Sequence, residues 1–224
     1  MKRPERVVLE GRHVKIVPLD AAAHVHALHE GSCGPERDGL WRYLFNGPYT
    51  SSAEFAWWLA GRERLEDPLF FTILDAGSGD PAGYCSLMRI EPAHRVVEVG
   101  NILYLPRLQR TSGATEAMYL LARYVFDTLG YRRYEWKCDA LNAPSRRAAL
   151  RYGFTFEGIF RQHMIVKGQN RDTAWYAMLD SEWAARKQAF EQWLAPANFS
   201  ADGRQKSSLS GSRGSESPAP AEAG

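Results

Sequence analysis

Residues 106–117, PRLQRTSGATEA, are of types that can bind a charged ligand. They fall where a strand-like segment hands over to a helical one, with Gln109, Arg110, Thr111, Ser112, Gly113 and Ala114 at the handover. Small residues let backbone N–H groups come close to a ligand, and the first turn of a helix offers unpaired amides and the positive end of its dipole. Such a loop is an anion cradle. Arg107 and Arg110 add charge that suits a diphosphate better than a lone carboxylate. The alternative is a tight connection in which Ser112 merely caps the helix. The absence of GxxxxGK[ST] argues against a P-loop nucleotide hydrolase, and no GxGxxG follows the first strand.

The elements that must position this loop are legible in the apolar periodicity. Residues 13–19, 69–75, 82–90, 96–105 and 133–140 are β-branched or aromatic, bounded by turn residues, and read as strands. Residues 77–81 form a turn, and residues 154–160 and 164–179 read as a hairpin about a turn at 168–170. Helical text begins near Ala21 and again at Ser52, a candidate cap. The strongest helix runs from about Gly113 to Leu129, with Ala114, Ala117, Met118, Leu121 and Val125 on one face and Gly130 as its stop. A short helix follows, capped by Asn142, with Pro144 in its first turn and Gly153 at its end. Ser181 is the expected cap of the last helix. The fold class is therefore α/β, with a mixed sheet.

Composition narrows the function classes. The 224 residues include 28 Lys plus Arg against 26 Asp plus Glu, a net charge of +2 that favours neither nucleic acid nor an acidic membrane as partner. No apolar signal segment or membrane-spanning run is present, so a cytoplasmic location is expected. Cys33, Cys85 and Cys138 are widely spaced, without CxxC, and read as reduced structural thiols; no metal is expected. From Pro196 onward Ser, Gly, Ala and Pro dominate. Residues 1–195 are therefore read as one domain and 196–224 as a disordered tail whose removal leaves activity intact.

Three stretches resemble the GNAT acetyltransferase superfamily, within it the RimJ/RimL-like branch of ribosomal-protein amino-terminal acetyltransferases. Gln109 to Ala114 resembles its Q/R-x-x-G-x-G/A motif, followed by Thr115-Glu116-Ala117; Ser112 stands at the first glycine position and Gly113 where a bulky residue is usual. LNAPSRRAALRYGF resembles the N-x-x-S…GF element through Asn142, Ser145, Gly153 and Phe154. Arg171-Asp172 and Glu182-Trp183 resemble the ending of the branch.

The resemblance implies a GNAT fold of about seven strands, mostly antiparallel and splayed between the family's fourth and fifth strands, with acetyl-CoA in the gap. Leu103 and Leu105 would offer main-chain hydrogen bonds to the pantetheine, Gln109 to Thr115 would hold the pyrophosphate, and Asn142 would also bind the coenzyme. Ser145 is the family-matched group for the leaving sulfur, since Ala149 stands where many members carry a tyrosine. Glu98 is the candidate base, either direct or through water, and His94 the alternative. Trp41, Tyr43 and Tyr49 lie in the segment that lines the acceptor side, or else close the core there. The implied activity is acetyl transfer to an amine, the acceptor a peptide or protein N-terminus or a small molecule such as an antibiotic, polyamine or amino acid. A non-catalytic acyl-CoA-binding module is the reading of another class. Monomer and homodimer both remain open.

Overall fold

The computed structural model describes residues 2–209. A single eight-stranded sheet runs through it in the order β1-β2-β3-β4-β5-β6-β8-β7. β1 (Leu9–Glu10), β2 (Val14–Pro18), β3 (Leu69–Asp75), β4 (Pro81–Glu91) and β5 (Val96–Tyr104) join antiparallel. β6 (Arg133–Asp139) lies parallel to β5, because the chain returns between them through α3 (Ser112–Arg123), and a helical crossover is what parallel neighbours require. β8 (Gln169–Leu179) and β7 (Thr155–Val166) complete the sheet antiparallel. The strand beyond the expected number is the two-residue β1.

Adjacent residues of β3 and β4 feed opposite layers. Phe71 and Cys85 join the larger core beneath α3 and α5 (Asp180–Leu194). Phe70 and Tyr84 join a second core with Leu28 of α1 (Ala21–Ser32) and Phe55 and Leu59 of α2 (Ser52–Glu63). Both faces are covered, which is why these strands read as continuous apolar runs rather than alternating ones. In α3 the residues at helical spacing are buried as expected, and its last turn widens to a π-helical one over Tyr124–Thr128 before Gly130 turns left-handed at φ +66.

Glu116 explains the branch-typical Thr-Glu-Ala. Its buried carboxylate accepts the backbone N–H groups of Arg12, His13 and Val14 at 2.9, 2.6 and 2.9 Å, fastening α3 to the start of β2. Gly11 makes room: a Cβ there would lie 2.5 Å from that carboxylate.

Two expected caps shift. Ser51, not Ser52, caps α2, accepting the Glu54 N–H at 3.1 Å, because Ser51 is the residue with extended backbone. α5 starts at Asp180, ahead of Ser181, and the Glu182 carboxylate accepts the Leu179 N–H at 2.9 Å. α4 (Ala143–Tyr152) is capped as expected by Asn142, which accepts the Ser145 N–H at 3.1 Å, and ends on Gly153 at φ +95.

The tail expected from residue 196 is structured as far as residue 209. Pro196–Asn198 form a 3-10 turn, Phe199 bridges to Gln205, the Asn198 side chain accepts the Ser207 N–H at 2.9 Å, and Leu209 is buried in the main core. Composition averaged over the whole segment concealed that Phe199 and Leu209 can anchor its first half. The remainder of the expected tail, residues 210–224, lies outside the described residues.

No helix among the described residues is long and apolar enough to cross a membrane, and no group of three metal-ligating side chains occurs among them. The three cysteines are free thiols. Leu209→Ala should lower the unfolding free energy by about 2 kcal/mol in a urea titration; an unchanged midpoint would mean that residues 196–209 are not anchored.

Candidate active site

Pairing between β5 and β6 runs from Val96–Arg133 to Val99–Trp136 and stops. Beyond that point β5 bulges against β4, with Asn101 at φ +50 and its side-chain amide donating to Ser86 Oγ at 2.9 Å. A bulge bends its strand, and here the strands part. The gap opens into a cleft of about 1210 Å³ bounded by β5, β6, the loop before α3, the start of α4 and the segment from Gly39 to Phe45. This is the splay expected from the resemblance, displaced by one in numbering because β1 precedes it.

The bulge also changes which β5 residues present their main chain. The Leu105 N–H donates to Ala82 O at 3.0 Å, so Leu105, and Leu103 two residues before it, direct their backbone toward β4. The Tyr104 carbonyl points the other way and accepts Gln109 Nε2 at 2.9 Å. Ile102 and Tyr104 therefore face the gap, not Leu103 and Leu105. The expectation was one residue out of phase because an inserted residue reverses the alternation. Leu103 still lines the cleft.

In the cradle, the N–H groups of Leu108 and Gln109 donate to Leu105 O at 2.9 and 3.3 Å, and that of Thr111 donates to Leu108 O at 3.4 Å. Thr111, not Ser112, is the cap: its Oγ1 accepts the Ala114 N–H at 3.2 Å. Ser112 and Gly113 thus sit in the first helical turn, where amides have no intrahelical acceptor. Arg110 takes the left-handed conformation at φ +61, so Ser112 needs none of the freedom of a glycine. Gly113 serves packing instead. A Cβ there would press on Val14 and Leu108 at 2.9 and 3.2 Å, and Gly113 does not line the cleft, whereas Arg110, Thr111, Ser112, Ala114 and Thr115 do. Arg107 turns away to the Pro81 carbonyl and to Asp80.

Ser145 and Asn142 both line the cleft. Trp136 Nε1 lies 3.0 Å from Ser145 Oγ, and an indole can only donate, so Oγ accepts there and its own hydrogen is left to donate, with the Cys138 thiol as its neighbour. Cys138 is adjacent; burial pushes its thiol up, with the Ser145 hydroxyl pulling the other way. Glu98 lines the cleft and is almost wholly buried, its Oε2 held by Arg89 Nη1 at 2.7 Å and Lys137 Nζ at 3.0 Å. These ion pairs leave Oε1, beside Gly100, as the oxygen able to accept another hydrogen bond.

Three expected residues lie elsewhere. His94 is exposed in the β4–β5 turn and lines no part of the cleft. Trp41 is fully buried, donating Nε1–H to Ser32 O at 2.7 Å and packing against Tyr49 and Phe55. Tyr49 is buried beside it with its hydroxyl on Asn46, and burial pushes its phenol up to about 12. Both close the second core; apolar side chains around a loop serve packing as readily as binding. Tyr43 alone of the three reaches the cleft, donating to Leu141 O at 3.1 Å just before α4.

Of the cleft cations that sequence reasoning did not place in the site, Lys137 and Arg171 lie deepest. Lys137 lies 3.8 Å from the Trp175 ring centroid and pairs with Glu135 at 2.7 Å as well as Glu98. Glu98 and Glu135 are directly opposed in the β5–β6 register, and the lysine between them offsets that like-charge contact. Arg171 is buried with its guanidinium 4.9 Å from the Phe45 ring centroid; burial pulls its ionisation down, opposed by Asp139. Its neighbour Asp172 instead accepts the Gln162 N–H at 2.7 Å, pinning an irregularity of β7. Tyr152, the last residue of α4, also lines the cleft.

Comparison with known proteins agrees with this geometry. The chain belongs to the GNAT acetyltransferase family: residues 13–155 match the Acetyltransferase (GNAT) domain. The crystal structure of a GCN5-related N-acetyltransferase from Brucella melitensis is 52% identical, with a TM-score of 0.90 over 92% of this chain and 95% of that one. The ribosomal-protein-serine acetyltransferase of Escherichia coli is 30% identical over 45% of this chain and 56% of its own length. The spermidine N(1)-acetyltransferase of Escherichia coli is 24% identical over 81% and 94%. Against four of its curated relatives the chain spans about half their length, between 48% and 59%.

Burial acts to raise the Glu135 carboxyl, but its hydrogen bonds to Lys137 and Arg133 and their charges outweigh burial and hold it below the usual carboxylate range. Its contribution to stability is then present above the unfolded-state value and lost as pH falls through the lower folded-state one. Glu135→Gln should cost about 3 kcal/mol at pH 7. Urea midpoints of variant and parent should converge on acidification below the carboxylate range; a gap that stays constant would refute the assignment.

Proposed function

We propose that the chain transfers the acetyl group of acetyl-CoA to a primary amine, with the α-amine of a peptide or protein as the acceptor class. The observation that carries this reading is the convergence in one cleft of the unpaired β5 edge, the first-turn amides of α3 and the Ser145 hydroxyl. These residues fit the coenzyme. The amide of Ser112 and the Arg110 side chain suit its diphosphate, and the main chain of Ile102 and Tyr104 suits its pantetheine arm as an added strand. When bound, acetyl-CoA supplies an acyl thioester.

The amine attacks the acyl carbon; a C–N bond forms, the C–S bond breaks, and the amine proton passes to solvent or to a water on Glu98 Oε1. A backbone N–H of β5 facing the gap is fixed before charge develops on the carbonyl oxygen and stabilises it there. Ser145 turns its hydroxyl hydrogen from the Cys138 thiol to the departing sulfur and hydrogen-bonds it there. A thiol with pKa about 8.5 needs stabilisation as thiolate more than full protonation.

Proton energetics favour the acceptor class. Neutralising an α-amine at pH 7 costs about 1.2 kcal/mol and a lysine amine about 4.6 kcal/mol. With Glu98 Oε2 committed to Arg89 and Lys137, the α-amine asks less of the site. The spermidine-acetylating relative supports a polyamine acceptor instead. Against that reading, a polycation needs free carboxylates, while Glu98 is doubly paired and Asp139 Oδ1 accepts the Leu141 N–H at 2.8 Å.

Thiol release measured on a peptide α-amine, a lysine peptide blocked at its N-terminus and spermidine should be fastest on the first by about tenfold or more. Faster reaction of lysine or spermidine would overturn the acceptor class, and CoA binding without turnover on any amine would leave a binding module. Ser145→Ala should lower kcat by about 10- to 100-fold with little change in KM for acetyl-CoA; an unaltered kcat would remove Ser145 from the chemistry.

A further inference from the structure

The cleft does not end at the α3 cradle. Arg151 of α4 donates to Thr115 Oγ1, in the first turn of α3, at 3.0 Å, and its guanidinium lies 4.8 Å from the Trp193 ring centroid on α5. Against Trp193 stands the segment that follows α5. Phe199 meets the indole edge-on at 5.2 Å, and Gln205 Oε1 accepts the indole N–H at 2.9 Å. Phe199, Gly203 and Gln205 consequently line the same cleft as Ser112 and Thr115, together with Arg147 and Arg151.

We propose that the turn formed by residues 199–205, with Arg147 and Arg151, is a subsite for the purine nucleotide end of the acyl donor. The inference rests on the acetyl-CoA reading above and extends it to a part of the ligand that the chemistry does not touch. A diphosphate held at the α3 amides divides the donor in two. Its pantetheine arm enters the gap between β5 and β6, so its nucleotide leaves toward the other lining wall, which is this turn. The residue types suit that end. Phe199 is half-buried and offers an apolar ring to a planar base. Gln205 Oε1 is occupied by the indole, so its amide hydrogens remain to donate to a purine nitrogen. Arg147 and Arg151 bring positive charge for the phosphate on the ribose.

The wall is held in place independently of any ligand. The Ser200 N–H donates to Arg204 O at 2.9 Å, that of Lys206 to Asn198 O at 2.7 Å, and Leu209 anchors the end of the turn in the core. A preformed wall adds affinity because little ordering remains to be done on binding. It also reverses the expectation that residues beyond Ala195 are dispensable.

The test compares CoA with 4′-phosphopantetheine, which lacks the nucleotide, by calorimetry or displacement on the full chain. Phe199→Ala should weaken CoA about tenfold, in keeping with the loss of one base–aromatic stack, and leave 4′-phosphopantetheine unchanged. Gln205→Ala, milder on folding, should act in the same direction. Unchanged CoA affinity in both variants overturns the subsite, and so does equal weakening of both ligands, which marks a general disturbance of the cleft. If CoA binds with this selective pattern but no amine is acetylated, the subsite stands and the catalytic reading falls. If the unaltered chain binds no CoA, both fall.

Discussion

Past Val99 and Trp136, β5 and β6 share no further hydrogen bonds, and backbone groups left without partners inside a protein must find others. That requirement shapes the site. The Asn101 bulge keeps β5 joined to β4 while bending it from β6, and it reverses the phase of the strand so that Ile102 and Tyr104 face the gap. Gln109 satisfies one of the exposed carbonyls from within the chain. The remainder present an edge to which an extended ligand arm can add as a strand would.

The closed part of the same strand pair bears the electrostatic cost. Two glutamates, Glu98 and Glu135, lie side by side where β5 and β6 still pair, and Lys137 is wedged between them with its ammonium against Trp175. Arg89 and Arg133 complete the neutralisation from either side. Removing Lys137 would leave two buried carboxylates side by side, which costs more than either of its pairs contributes. The network holds the strands together immediately below the point where they diverge, and it fixes Glu98 with Oε1 outside its ion pairs.

Much of the fold was legible because apolar patterning reports which faces are covered: β3 and β4, covered on both, read as continuous apolar runs, and α3 keeps the 3.6 period. The α4 cap, Asn142, and its stop, Gly153, followed from residue type alone. What escaped the sequence depends on phase and company. A single inserted residue at Asn101 moved the main-chain contacts by one position, and no local pattern announces such a bulge. Trp41 and Tyr49 could not be told from ligand-facing aromatics until their neighbours were known. Gly113 reads as a phosphate-loop glycine but makes room for Val14. Arg171 and Lys137 became visible as cleft residues only when β8 and β6 were placed side by side.

The turn at residues 199–205 is among the last parts of the described chain to leave the ribosome, yet it walls a cleft whose other sides come from the middle of the sequence. A nascent chain can assemble β2 to β8 in order and still carry an unfinished pocket. The Trp193 indole would stand uncovered during that interval, and the pocket would be completed only when Phe199 and Gln205 pack against it. Timing of maturation is thereby written into the placement of a few residues that follow α5.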